Sequence, residues 1–145
     1  MADGSDTRIE HKAGIVAYRL GNNGPECLLV TARSVPDSWI FPLGGVEPGE
    51  TASQAAEREC LEESGYVVRC RQLLATIDLQ KSSSVHRVSF YLGELQGQVD
   101  SFEDDRQRCW VGLDVLGATV PAVFKPVADA AVEVLRGDVS LMETS

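Results

Sequence analysis

The segment from Thr51 to Gly65 marks a helix at both ends and then fills it with charge in an unfavourable place. Thr51 followed by Gln54 forms a capping box, which starts the helix. Gly65 suits the left-handed residue that ends one. At about 100° per residue, Ala52, Ala56, Glu59 and Glu63 fall within about 60° of one another, with Ala55 and Glu62 just beside them. Glu57 and Leu61 point elsewhere. A helix laid on a sheet through its alanines therefore turns these carboxylates toward the interior or the floor of a cleft. Three acids at i, i+3 and i+4 repel one another, and they stand at the negative end of the helix dipole. Each such placement costs from a few tenths to about 1 kcal/mol. Local stability gives no reason for the cluster. A hard divalent cation does, since Mg²⁺ or Mn²⁺ takes oxygen ligands and offsets clustered charge. A solvated acidic face is the other reading. Arg58 is placed to pair with Glu62 at i+4 or with a carboxylate beyond the helix.

Around this helix the pattern is one of strands. Ala13 to Arg19 and Cys27 to Ala32 read as a hairpin, because Gly21-Asn22-Asn23-Gly24-Pro25 between them is turn chemistry. Ser34 to Glu50 reads as a loop rich in Pro and Gly. Tyr66 to Leu79 and Val85 to Leu95 read as strands, and Arg108 to Val111 as a short one. Pro121 to Arg136 carries Val127, Ala130, Ala131, Val134 and Leu135 at helical spacing and predicts a C-terminal helix. Strands, helix, strands, helix is the order of an α/β layered domain. The expected division is an N-terminal tail over 1–10, one domain over 11–137 and a C-terminal tail over 138–145. No internal repeat interrupts it.

The chain has 145 residues, 43% of them apolar, enough for one core and too many for a disordered segment. No run approaches the roughly 20 apolar residues of a membrane span, and the polar first ten residues do not resemble a signal peptide. Cys27, Cys60, Cys70 and Cys109 show neither C-x-x-C spacing nor a zinc-type cluster, so reduced thiols in the cytoplasm are expected. The net charge of −9 argues against general nucleic-acid binding. It also means that a phosphorylated ligand would be repelled unless local cations reverse the field.

Gly44 to Tyr66 reads GGVEPGETASQAAERECLEESGY. This string resembles the Nudix box, G-x5-E-x7-R-E-U-x-E-E-x-G-U, with U a bulky apolar residue. Gly44, Glu50, Arg58, Glu59, Glu62, Glu63 and Gly65 all fall in register, which makes the signal highly specific. Cys60 and Tyr66 stand where aliphatic residues are usual. Lys12-Ala13-Gly14-Ile15-Val16 is similar to the family's first core strand and Trp39-Ile40-Phe41-Pro42 to its approach to the box. Leu43 departs from the Gly or Lys common there. The resemblance implies a single-domain α/β/α sandwich with a mixed sheet.

It further implies a metal-dependent pyrophosphohydrolase, acting on a phosphoanhydride bond in a small phosphorylated metabolite. Glu59, Glu62, Glu63 and the Leu43 carbonyl would ligate Mg²⁺ or Mn²⁺, which lowers the pKa of the attacking water. Glu59 or Glu62 would orient or deprotonate that water, and Arg58 would orient Glu59. Glu50 would tie loop to helix or reach the metal through water. Gly44, Gly45 and Gly49 would let the loop fold close to metal and phosphate. Glu103, Asp104 and Asp105 are candidates for a further acid, since Cys109 stands before Trp110 where some relatives carry Glu. The segment from Arg33 to Pro42, together with His86-Arg87, is similar to the diphosphoinositol and diadenosine polyphosphate hydrolase branch. Lys12, Arg33, His86 and Arg87 would then form a cationic rim for extra phosphates, or else be ordinary surface residues. Trp39 would stack on a base or anchor its loop. Nucleoside triphosphates or nucleotide sugars are the alternative substrates, and a non-catalytic nucleotide-binding module is the alternative class. A homodimer is one open form of assembly.

Overall fold

The computed structural model describes residues 8–35, 37–100 and 106–137. Its centre is β1 (Arg8–Gly21), whose residues Ala13 to Tyr18 are all buried. Alternation along this strand feeds two cores. Val16 and Tyr18 enter one apolar cluster, and Ala13, Ile15 and Ala17 enter another on the opposite face. β2 (Gly24–Thr31) returns from the Asn22–Asn23 turn and pairs antiparallel with the end of β1. β6 (Ser84–Gln98) lies parallel to β1 from Arg8 to Tyr18, and β5 (Tyr66–Gln80) pairs antiparallel with β6 at the sheet edge. The sheet is therefore mixed.

β1 begins at Arg8, before the expected Ala13, and takes in residues read from sequence as the end of the tail. The reason is tertiary: Arg8, Ile9 and Glu10 ladder onto Ser84, Val85 and His86. Two strands lie inside the expected loop. β3 (Trp39–Ile40) pairs with the end of β2, and β4 (Leu43–Gly45) pairs with Lys12, Ala13 and Gly14. β7 (Arg108–Gly112) pairs antiparallel with Glu26 to Val30 of β2.

The helices cover both faces, giving the expected α/β/α sandwich. α1 (Ala52–Ser64) packs through Ala55, Ala56 and Cys60 on the cluster that holds Ala13, Ile15 and Leu28. Its capping box is complete, with Thr51 Oγ1 accepting from the Gln54 N–H at 3.1 Å and Gln54 Oε1 from the Thr51 N–H at 2.9 Å. Gly65 ends it at φ 78°, a conformation that favours glycine. On the other face lie α2 (Leu113–Thr119) and α3 (Lys125–Gly137). α2 was not expected; it is short and carries Gly117 inside. Ala122–Phe124 form a 3-10 turn, so the C-terminal helix starts at Lys125 rather than Pro121. Val127, Ala128, Ala131 and Leu135 of α3 are buried under the sheet, beside a triangle of Phe41, Phe90 and Phe124 with ring centroids 5.9 to 6.3 Å apart. Each fully buried side chain of this size contributes about 1.5–3 kcal/mol. No helix among the described residues is long and apolar enough to cross a membrane.

Candidate active site

Arg58 is the hub of the site. Its Nε and Nη2 donate to the two carboxylate oxygens of Glu50 at 2.8 and 3.0 Å. Nη1 donates to Glu59 Oε2 at 3.0 Å and to Glu62 Oε1 at 3.2 Å, and Nη2 donates to the Gly45 carbonyl at 2.8 Å. Only a planar fork with five N–H groups can gather three carboxylates and a loop carbonyl in this way. Glu50 thereby ties the loop to the helix. The Arg58 hydrogen bonds, followed by the Glu47 N–H, hold its carboxyl below the usual range. Glu50 in turn drives the Arg58 guanidinium further into its charged form.

The loop meets the helix at Gly44. The β4 register places Gly44 opposite Ala13, on the α1 side of the sheet. A Cβ on Gly44 would stand 2.1 Å from the Glu59 carboxylate. The missing side chain is thus the space in which Glu59 lies. The side chain of neighbouring Leu43 packs on the opposite core, which leaves only its backbone to serve an ion.

The three acids share a side of α1, as the helical wheel predicts, but at different depths. Glu63 is 4% exposed, Glu59 14% and Glu62 51%. Glu63 Oε1 lies 3.3 Å from Arg106 Nη1 as an ion pair, and that nitrogen donates to the Thr31 carbonyl at 3.1 Å. Nothing in the sequence ties Arg106 to Glu63, because Arg106 sits in a polar stretch before a short strand. Among the described residues, no group of three His, Cys, Asp or Glu side chains stands close enough to hold a metal ion. The groups that Arg58 gathers are all oxygen donors, three carboxylates and a backbone carbonyl, the chemistry a hard cation takes. The Gly44 cradle holds one of them, the Glu59 carboxylate. In donor type these residues fit a divalent ion, with Glu62 half-exposed and held by Arg58 and Glu63 beside Arg106.

Three of the basic residues expected to form a rim, Lys12, His86 and Arg87, lie on strands and divide between two faces. Glu10 pairs with His86 and His11 with Arg87 in the β1–β6 ladder, so His86 and Arg87 point to opposite sides. Lys12 and His86 share one side with Glu10, whose Oε1 lies 3.9 Å from Lys12 Nζ and 3.7 Å from His86 Nε2. Lys12 Nζ reaches to 3.7 Å from where a Gly45 Cβ would stand. Burial, followed by the Lys12 charge, holds His86 below its ordinary range, which favours the neutral ring. Arg87 instead donates twice to Asp78, at 2.9 and 3.0 Å. Arg33 is exposed. Trp39 is half-buried and packs against the core from β3.

The box's two unusual apolar residues are both buried. Cys60 lies under α1, where burial pushes its thiol up to about 12. Tyr66 stacks edge-on with Trp110 at 5.1 Å, under the Arg108 guanidinium at 4.5 Å. Cys109 turns to the opposite core. Glu103, Asp104 and Asp105 lie outside the described residues. A cleft of about 380 Å³ between the β1–β2 turn and α3, lined by Asn23, Glu26, Asp114 and Arg136 among others, contains none of the residues expected from sequence.

The NUDIX domain model matches residues 10–133. The chain belongs to the Nudix family. This Nudix chain is 36% identical over 110 residues to human diphosphoinositol polyphosphate phosphohydrolase 3-alpha, an alignment covering 73% of this chain and 66% of that protein. It is 37% identical over 110 residues to diphosphoinositol polyphosphate phosphohydrolase 2 of Rattus norvegicus, covering 73% and 60%. The chain thus spans 60 to 66% of the length of these curated relatives. The crystal structure of C. elegans Ap4A hydrolase superposes with a TM-score of 0.69 at 25% identity, covering 88% of this chain and 98% of that one. The solution structure of the E. coli ORF135 protein matches in fold, with a TM-score of 0.73 at 20% identity, covering 94% and 96%.

Proposed function

We propose that this chain hydrolyses a phosphoanhydride bond in a small phosphorylated metabolite, with Mg²⁺ or Mn²⁺ held by Glu59 and Glu62, joined by Glu63 and the Leu43 carbonyl. The observation that carries the proposal is the Arg58 hub, which gathers Glu50, Glu59 and Glu62 against the box loop at Gly45. Clustered carboxylates with one guanidinium among them are unfavourable for folding alone and suited to a cationic ligand. The cation, when bound, offsets phosphate charge and makes the attacking water more acidic.

The chain's own residues do the rest. Arg58 fixes the Glu59 carboxylate through Oε2. Glu59 Oε1, or Glu62, accepts the proton of the water. The water oxygen bonds to phosphorus, the bridging P–O bond breaks, and two phosphorylated products leave. Gly44 and Gly45 let the loop approach the scissile phosphates, and Lys12 stands beside Gly45 to meet them. Diphosphoinositol polyphosphates and dinucleoside polyphosphates are the substrate classes suggested by the names of the relatives. The four free cysteines support a reducing, cytoplasmic setting.

The test is product release from a panel with and without Mg²⁺. The panel holds diadenosine polyphosphates, an inositol pyrophosphate, nucleoside triphosphates and nucleotide sugars. Metal-dependent turnover of one class supports the proposal and names the substrate. Binding without turnover, under any divalent metal, overturns it in favour of a nucleotide-binding module.

A further inference from the structure

The cationic rim expected from sequence carries a built-in counter-charge. Glu10 stands on the same sheet face as Lys12 and His86, within 3.9 Å of one and 3.7 Å of the other. Lys12 in turn reaches the box loop at Gly45, whose carbonyl is held by Arg58. Glu10 therefore stands beside a lysine whose Nζ lies close to the loop strand that Arg58 ties to α1. The other strand cation, Arg87, has the parity of Ala13, on the α1 side of the sheet, and is tied twice to Asp78. Arg8 on the same face as Glu10 donates to Glu10 Oε2 at 3.2 Å, so Arg8, Lys12 and His86 all share this one carboxylate, and a dense polyanion meets no cation on this face that Glu10 does not already offset.

We propose that Glu10 is a specificity determinant: its carboxylate disfavours densely phosphorylated ring substrates and leaves the site to linear phosphate chains of low charge. The proposal rests on the hydrolase reading for the location of the site, and it narrows the substrate to the dinucleoside polyphosphate side. The physical basis is like-charge repulsion. A linear chain places few phosphates beside the loop, whereas a polyol phosphorylated around its ring brings further charge against Glu10 whichever way it turns.

The test is calorimetric binding in Mg²⁺ of two probes that need no turnover: inositol hexakisphosphate, and a nucleoside triphosphate with methylene-bridged phosphates. Glu10→Gln should tighten inositol hexakisphosphate by about tenfold and the nucleotide analogue by less than about threefold, with a larger gap for Glu10→Lys. Glu10→Asp should keep the wild-type ratio. Equal changes for both probes, or no change in either variant, would overturn the role of Glu10. The two proposals fail separately. A wild type that turns over no substrate, while the Glu10→Gln ratio shifts as expected, removes the hydrolase reading alone. An unshifted ratio in an active enzyme removes only the Glu10 inference.

Discussion

Replacing Gly44 with alanine isolates the placement of one carboxylate. The added Cβ would stand 2.1 Å from the Glu59 carboxylate, where ordinary contact begins near 3.4 Å, so the carboxylate must retreat by about 1.3 Å. The backbone offers no resistance of its own, because Gly44 is not among the glycines with positive φ. The atoms displaced are also the far end of a flexible side chain, so the fold should lose less than about 1 kcal/mol. Catalysis is less forgiving, since a misplacement of about 1 Å can cost on the order of 100-fold. Gly44→Ala is therefore expected to lower kcat about 100-fold with a thermal midpoint close to wild type. Gly97→Ala, where an added Cβ meets nothing within 4 Å, is the control. The assay is steady-state turnover in Mg²⁺ beside a melting curve. A folded Gly44→Ala enzyme with kcat within about threefold of wild type would refute the claim that Glu59 must lie where the loop lets it lie.

Arg58→Lys keeps the charge and loses the fork, so kcat should fall about 100-fold; wild-type kcat in a folded variant would show that a point charge suffices. Glu62→Gln and Glu63→Gln should each cut turnover by orders of magnitude but separate in stability. Glu62 is half-exposed, and its replacement should change unfolding free energy by less than about 1 kcal/mol. Glu63→Gln replaces a carboxylate that is 4% exposed beside Arg106 and should cost more, about 1–3 kcal/mol. Equal denaturation midpoints, or full activity in both variants, would contradict these assignments. Glu50 carries a pH signature. Its folded pKa is lowered, chiefly by Arg58, so its pairing stabilises fully above its ordinary 4.5 and is lost as pH falls through the lower folded value. Glu50→Gln should flatten that acid limb in a plot of midpoint against pH, and parallel limbs for mutant and wild type would count against the pairing.

What was legible in the sequence was local. The α1 boundaries follow from Thr51, Gln54 and Gly65, which act on their own neighbours and need no tertiary help. The strands β1, β2, β5 and β6 were visible because each is long enough to show its composition. β3 and β4 were hidden, since two or three residues in a Pro- and Gly-rich stretch have no periodicity. They are strands only because β2 and β1 present open ladders to them. α2 was hidden for a similar reason: seven residues with a glycine inside show too little pattern, and its burial at Leu116 comes from the sheet.

The site divides along the same line. A helical wheel reports azimuth and not depth, so it grouped Glu59, Glu62 and Glu63 without separating the exposed acid from the buried one. Depth is set by what arrives from elsewhere, here Arg106 onto Glu63 and Gly44 over Glu59. The cationic rim shows the opposite case, where the sequence already held the answer. Successive residues of a strand face opposite sides, so His86 and Arg87 point to the two sides of the sheet. The same alternation puts Glu10 beside Lys12, two positions apart on β1. Charge on this surface is therefore decided by strand parity, and parity sets against the loop cation a carboxylate that a count of basic residues overlooks.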